Sequence, residues 1–528
     1  MKFTWFGCAL VTVGVRVDVC VLPTRTGATM QQLRTPASFG RAVTIGLMVS
    51  AAWCCSPAGS HSTIGAASGG NGASAGRSAT GPGLGSAGTT SLDLGGDIPA
   101  DVPDGPCQLL ECQVPTCAGG ADTTISGKVY APNGTLPLYN VVVYVPNAPV
   151  EPFKEGAACD RCAASIANPV TAAVTDETGA FVLHRAPAGA SIPLVIQVGK
   201  WRRQIVVPNV TGCVDTPLTD PQLTRLPRNK QEGDIPRIAI SAGGADAMEC
   251  LPRRLGIDDA EYTSSAGDGR IHLFTATDNG GDLSVKAFAP TLNAGAALPH
   301  SMELWRDLPT LMKYDIVMLS CEGTAFLAEK PLASRQALYD YASQGGRVFA
   351  SHWGHVWFSD GPAPVPTTGQ WMSRQNPAEA ASSVPAMINQ TFPKGEALAK
   401  WLVNVGASTT QGTLDVIGPR DDIQTIDPAV SREWITLDNP HFPQAPKVVE
   451  YMSFNAPIGV PEAESCGRAV FTGLHVSNSV EDRVVQPPGF PLECDATALT
   501  AQEKAVAFML FDLSACIQND DEPPKPPK

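Results

Sequence analysis

Four short apolar runs constrain this 528-residue chain more than any other feature. "IPRIAIS" (235–241), "KYDIVMLS" (313–320), "GGRVFAS" (345–351) and "GRAVFTG" (467–473) carry no period-two alternation, so each predicts a strand buried on both faces. Helical patterns lie between and after them. "ASRQALYDYASQGG" (333–346) places Leu338, Tyr341 and Ala342 on one face and stops at Gly345-Gly346. "KGEALAKWLVNVGA" (394–407) and "TAQEKAVAFMLFDLSACI" (500–517) predict two more helices, another begins near Asp246, and "VVEYMSFNAPIG" (448–459) is a late strand. Apolar strands alternating with helices predict an α/β domain over 234–516, with a mostly parallel sheet flanked by helices.

Ligand sites in such sheets lie beyond the carboxyl ends of the strands. That gives "GGRVFASHWGHVWF" (345–358) its meaning, because it sets His352 and His355, two of only eight histidines, at one such end among Trp353 and Trp357. Gly243, Gly244 and Asp246 follow the first strand, Cys321 and Glu322 the second, and His475 a late one. Gly243, Gly244, Asp246, Cys321, Trp353 and His355 are therefore candidate binding residues, and His352, His475 and Glu322 the catalytic set if there is catalysis. His352 and His355, with His475 and Glu322, suit zinc or iron only if they converge within about 2 Å of one point. The reading adopted has no metal and no cofactor. Neutral imidazole serves near pH 7 as a base or hydrogen-bonding group, or is held by strand-end carbonyls. Cys321 makes a poor nucleophile, since bulky Leu319 stands where a tight elbow needs a small residue. It reads as a buried thiol.

Residues 123–213 follow a different pattern. "ISGKVYAP", "NVVVYVPN", "TAAVTDETGAFVLHRAP" and "PLVIQVGKWRRQIVVPNV" are short strands rich in Val and Ile, divided by Pro, Gly and Asn, which predicts a small antiparallel β-sandwich. Asp176 and Gly179 bracket a turn, with Val174 and Phe181 as core positions on either side. Lys200-Trp201-Arg202-Arg203 reads as an exposed hairpin face. A Cys-containing lead-in (106–122) precedes the sandwich and a linker (214–233) follows it.

Fifteen cysteines predict an oxidising compartment. Six lie between Cys107 and Cys213, expected to pin loops onto the sandwich, with Cys159 and Cys162 holding its long loop. Five lie between Cys250 and Cys516, so one is left over there; Cys321 is expected to be it. Residues 1–55 read as a signal or leader whose true start is Met30, since "MQQLRTPASFGRAVTIGLMVSAAWCC" has basic residues, a short apolar run and paired cysteines. Residues 56–105 are a Gly/Ser/Ala-rich tether of roughly 40 Å root-mean-square span. The acidic, proline-rich end (517–528) is expected to be disordered. With 37 basic against 51 acidic residues, a net charge of −14 excludes nucleic acid as a partner class.

Three resemblances follow from these motifs. The leader is similar to a bacterial lipoprotein signal, which implies lipid attachment at Cys54 or Cys55. Gly127-x-Val129, "PLYNVVVYV" and Thr175-Asp176-x-x-Gly179-x-Phe181 resemble the carboxypeptidase regulatory-like (transthyretin-like) domain, whose members usually carry no catalysis. The strand order and "FASHWGH" resemble the class I glutamine-amidotransferase-like fold, especially its trehalose-utilisation-like branch. Ala350 and Gly354 take the two glycine positions of its Gly-x-Cys-x-Gly-His pattern, and His352 stands where the nucleophilic cysteine would be, which implies no glutaminase activity. "GRAVFTGLH" resembles that branch's late strand, ending at His475. The whole chain is similar to a group of exported myxobacterial proteins, and no eight-fold βα pattern supports tryptophan-synthase chemistry. The expected protein is an exported lipoprotein of the outer membrane, periplasm or cell surface, with a non-catalytic binding or scaffold role. Its expected partners are the membrane, through the lipid, and a carbohydrate or other envelope component. The alternative is a periplasmic or surface hydrolase, or another sugar-acting enzyme, using His352 and His475.

Overall fold

The Val- and Ile-rich segments form seven strands: β1 (Thr124–Lys128), β2 (Val142–Pro146), β3 (Pro169–Val174), β4 (Ala180–Leu183), β5 (Gly189–Val198), β6 (Trp201–Val210) and β7 (Asp215–Leu218). They make one sheet in the order β4-β1-β7 and a second in the order β3-β2-β5-β6. Ile125, Val143, Phe181, Leu194 and Ile196 from the two sheets share one buried core. These positions belong to a computed structural model that describes residues 107–159, 166, 168–276, 285–372, 383–438, 447–476, 489–494 and 498–526. The leader, the tether, Cys54, Cys55 and Cys162 lie outside the described residues.

The predicted turn forms as expected. The Asp176 carboxylate accepts from the Thr178 and Ala180 backbone amides at 2.8 and 2.9 Å, and Gly179 takes φ 78° against Pro137 and Val129. Two expectations change. β7, in the stretch read as linker, pairs parallel to β1. The basic run is not an exposed face: Trp201 is buried against Phe511, and Arg202 is buried, pairing with Asp234 at 2.8 Å and lying 4.0 Å from the Phe153 ring centre. Trp201 thereby packs the sandwich against the second half of the chain.

The second half contributes β8 (Ile238–Ser241), β9 (Tyr262–Thr263), β10 (Ile271–Phe274), β11 (Ile316–Leu319), β12 (Arg347–Ser351), β13 (Gly369–Trp371), β14 (Val384–Ile388), β15 (Thr413–Val416), β16 (Ile423–Ile426), β17 (Ser431–Asp438), β18 (Lys447–Ala456) and β19 (Gly467–Thr472). Ten of them form one sheet in the order β15-β14-β17-β18-β19-β12-β11-β8-β10-β9. From β9 to β19 the six neighbours run parallel. The remaining wing, β18, β17, β14 and β15, is antiparallel. The sheet is thus mixed, and β14 shows why: Val384, Ala386 and Ile388 are buried while Pro385 and Met387 face out, a half-covered strand of the antiparallel kind. The helices Leu332–Ser343, Pro393–Asn404 and Ala501–Ser514 lie where the apolar periodicity places them. The helix expected near Asp246 starts later, at Cys250, and leaves Asp246 in a loop.

Residues 98–528 form one compact unit. Tyr139 of the sandwich half stacks on Phe508, Trp401 donates to the Pro137 carbonyl at 2.8 Å, and Lys200 pairs with Asp315 at 2.8 Å. Cys107–Cys112 and Cys117–Cys213 close the lead-in, and Cys250–Cys494 lies within the second half. Cys159 does not stay in the sandwich: it bonds Cys466, tying the long loop to the α/β half. Cys516 is also disulfide-bonded, and Cys321 is the free cysteine among the described residues. These bonds fit an exported protein. Among the described residues no helix is long and apolar enough to cross a membrane. The tail is ordered as far as it is described. Asp520 is buried on Arg468 and Lys394, whose charges pull its carboxyl down to about 2 against the cost of burial.

Candidate functional site at the carboxyl ends of the parallel strands

β12 is buried along its whole length and ends at Ser351. His352 then takes φ 46°, and the chain turns at once into the 3-10 turn His352–His355 and the helix Val356–Ser359. A non-glycine residue held in the left-handed region costs on the order of 1–3 kcal/mol. A strand-to-helix elbow of this kind lifts one side chain over the sheet edge. Small neighbours allow it: a methyl on Gly354 would lie 3.2 Å from Ala350 Cβ and 3.3 Å from the Leu319 carbonyl.

Three other strand ends meet this elbow. Cys321, just past β11, is buried; its N–H donates to Ser351 Oγ at 3.0 Å and its carbonyl accepts from the Ala245 amide at 3.1 Å. Gly243 is needed there because any Cβ would collide with the Cys321 carbonyl. Asp246, fully buried, accepts from Ser351 Oγ at 2.7 Å and from the Val476 amide at 2.9 Å, so it links the ends of β8, β12 and β19. His475, half-buried beyond β19, stacks on His352 with ring centres 3.4 Å apart and planes 17° from parallel. The Cys321 sulfur and ring nitrogens of His352 and His475 all lie within 4.8 Å of one another.

Burial decides the protonation states. His352 is held well below the ordinary histidine range by loss of water, then by His475 and Arg420. Burial pushes the Cys321 thiol up to about 12. Neither His352 ring nitrogen makes a well-formed hydrogen bond among the described residues, although the Gly473 carbonyl lies nearby.

The remaining candidates divide. Glu322 is buried in an ion pair with Lys330, which holds its own loop. His355 turns away from His352: its Nδ1 lies 3.1 Å from Ser359 Oγ and its Nε2 3.7 Å from Asp422, and burial lowers its pKa. Trp353 lies over the Arg420 guanidinium at 4.4 Å. Arg420 in turn grips Asp422 through two bonds of 2.8 and 3.0 Å. Arg420, Asp421, Asp422 and Glu450 were not among the sequence candidates, yet all are buried, and Glu450 packs beside Gly473. Burial, then Asp422, raises the Glu450 carboxyl well above its usual range. The signal was present in "VVEYMSF", where one acid interrupts an apolar strand and must be buried with it.

No family model matches the chain, and no curated protein matches it. Solved structures give weak likenesses. A cytoplasmic protein from Salmonella typhimurium aligns with 53% of this chain and 99% of its own at 12% identity and a TM-score of 0.29. Two interface mutants of a type II cohesin–X-dockerin complex from Acetivibrio cellulolyticus align at 16% and 17% identity. They cover 28% and 26% of this chain and 79% and 85% of theirs, with TM-scores of 0.13 and 0.15. At these scores none of them bears on fold or activity.

Proposed function

We propose that this is an exported, lipid-anchored cell-envelope protein whose α/β half is an amidotransferase-like binding module and not a hydrolase. The observation that carries this reading is the condition of the groups at the elbow. His352, where the resemblance to amidotransferases would put the nucleophile, is fully buried, and burial pushes the adjacent thiol up to about 12. A thiol in that state offers almost no thiolate, which is the form that attacks. Glu322, the acid that would have assisted, is taken by Lys330. What remains is a set of polar groups gathered at one sheet edge, suited to holding a ligand.

A hydrolase using His352 and His475 is the second reading, favoured by the left-handed backbone at His352. The purified full chain, incubated with glutamine, nitrophenyl esters and nitrophenyl glycosides, should show no turnover above buffer. Turnover that disappears in His352→Ala would overturn the binding reading. The anchor is tested separately: palmitate label should enter the wild type and vanish when Cys54 and Cys55 are both changed to Ser.

A further inference from the structure

Within that binding reading, we propose that Cys321, His352 and His475 form a site for a thiophilic transition-metal ion, zinc in the first instance, with one coordination position left open. One thiolate and two imidazoles are a donor set that zinc accepts readily. Zn–N bonds of about 2.0–2.1 Å and a Zn–S bond of about 2.3 Å place tetrahedral ligand atoms roughly 3.3–3.7 Å apart. The three ligand atoms already lie within 4.8 Å of one another, so an ion would need them to draw together by roughly 1 Å and one ring to reorient. The stacked rings hold their lone pairs in nearly parallel planes, which do not meet at one ion. One ring must therefore turn, and His475, half-buried where His352 is fully buried, is the more exposed of the two.

Two independent observations point to a ligand here. His352 is 0% exposed; the Gly473 carbonyl is near enough to serve one ring nitrogen, the other has no partner among the described residues, and the backbone conformation costs energy to hold. A metal bond would answer that loss. The second is Cys321. Every other described cysteine is in a disulfide, yet this one is kept as a thiol against two histidines. Binding would expel its proton to water and form the thiolate as the ion arrives. Asp246, bonded to Ser351 next to His352, balances part of the remaining positive charge. The other cluster of possible ligands, Cys250, Glu493 and Cys494, has both sulfurs in one disulfide and offers no thiolate.

The test is titration of the full, unreduced chain with cobalt(II), a spectroscopic stand-in for zinc. The expected result is one equivalent bound, with a near-ultraviolet thiolate-to-cobalt charge-transfer band that zinc abolishes by displacement. Cys321→Ser should lose the band. His475→Ala, at a half-buried position that tolerates change, should keep its fold by circular dichroism. Its affinity should fall by at least the roughly 10–100-fold that outer-shell changes alone cost. No band in folded wild type, a band that survives Cys321→Ser, or unchanged affinity in His475→Ala would each overturn the metal site while leaving the binding reading in place. Turnover by the zinc-loaded chain would do the reverse.

Discussion

In the sandwich, Thr175 is buried and its hydroxyl is fully used: it donates to the Leu138 carbonyl at 2.6 Å and accepts from the Val141 amide at 3.0 Å. At the elbow of the α/β half, His352 is buried just as deeply and its ring nitrogens find no comparable partners among the described residues. Depth is therefore not what separates framework from site. A buried polar group whose bonds are closed holds the fold together; one with open bonds, as Trp201 Nε1 and Tyr262 Oη also have, points to a site only where other ligating groups converge on it, as Cys321 and His475 do on His352. Asp246 stands between the two cases, polar and at the site, but with both oxygens engaged on Ser351 and Val476.

The comparison can be broken in several places, and the largest effect concerns how the halves are joined. Changing Cys159 and Cys466 together to Ser removes a bond between residues 307 apart in sequence and should cost about 2–5 kcal/mol. Removing Cys107–Cys112, with a separation of 5, should cost clearly less. Equal losses in thermal melts would mean that the tie between the halves carries no special weight. Next comes Asp246→Ala, which strands the Ser351 hydroxyl and the Val476 amide and should cost about 2–4 kcal/mol, read as denaturant midpoint. A change under about 0.5 kcal/mol would show that these strand ends are not knit by that carboxylate.

A pH measurement separates framework histidines from the elbow pair. His272, buried with Nδ1 3.0 Å from the Tyr314 hydroxyl, is lowered to about 4 from an ordinary 6.5, chiefly by burial and then by Arg237. The unfolded chain therefore takes up this proton first as pH falls. The stability from neutral His272 is complete above about pH 6.5 and is lost progressively towards pH 4, by up to about 3 kcal/mol. His272→Gln should flatten the fall across that window relative to wild type, whatever the acids contribute to both. Parallel curves would contradict the assignment.

Much of the fold was legible because local rules and the final structure agree. Apolar runs at 238–241, 316–319, 347–351 and 467–472 became adjacent parallel strands, since a run with no polar face can only be covered on both sides. The antiparallel wing was not legible: an apolar strand such as β18 looks the same in sequence whichever way it runs. Disulfide partners are likewise not encoded in spacing, which is why Cys159 was expected to stay in its own half. At the site, the strand-end rule brought Cys321, His352, His475 and Asp246 to one edge. It also nominated Glu322 and His355, because a strand end fixes a neighbourhood and not the direction of a side chain. Arg420, Asp421 and Asp422 escaped notice because they reach the edge from a loop outside the parallel strands.

The smallest expected change in stability gives the most direct test. His352→Phe keeps a flat aromatic ring able to stack, though a larger one, while removing the two nitrogens, so thermal melts of wild type and variant without metal should agree within about 1 kcal/mol. Thr175→Ala, the matched change in the framework, should cost about 1–3 kcal/mol. Zinc at about a hundredfold above its dissociation constant should then stabilise wild type by about 2.7 kcal/mol. For a compact unit of roughly 430 residues, at about 1 °C per kcal/mol, that raises its melting temperature by about 3 °C and leaves His352→Phe unmoved. Loss of stability in His352→Phe as large as in Thr175→Ala, with no zinc shift in wild type, would make the elbow histidine part of the framework and contradict the account.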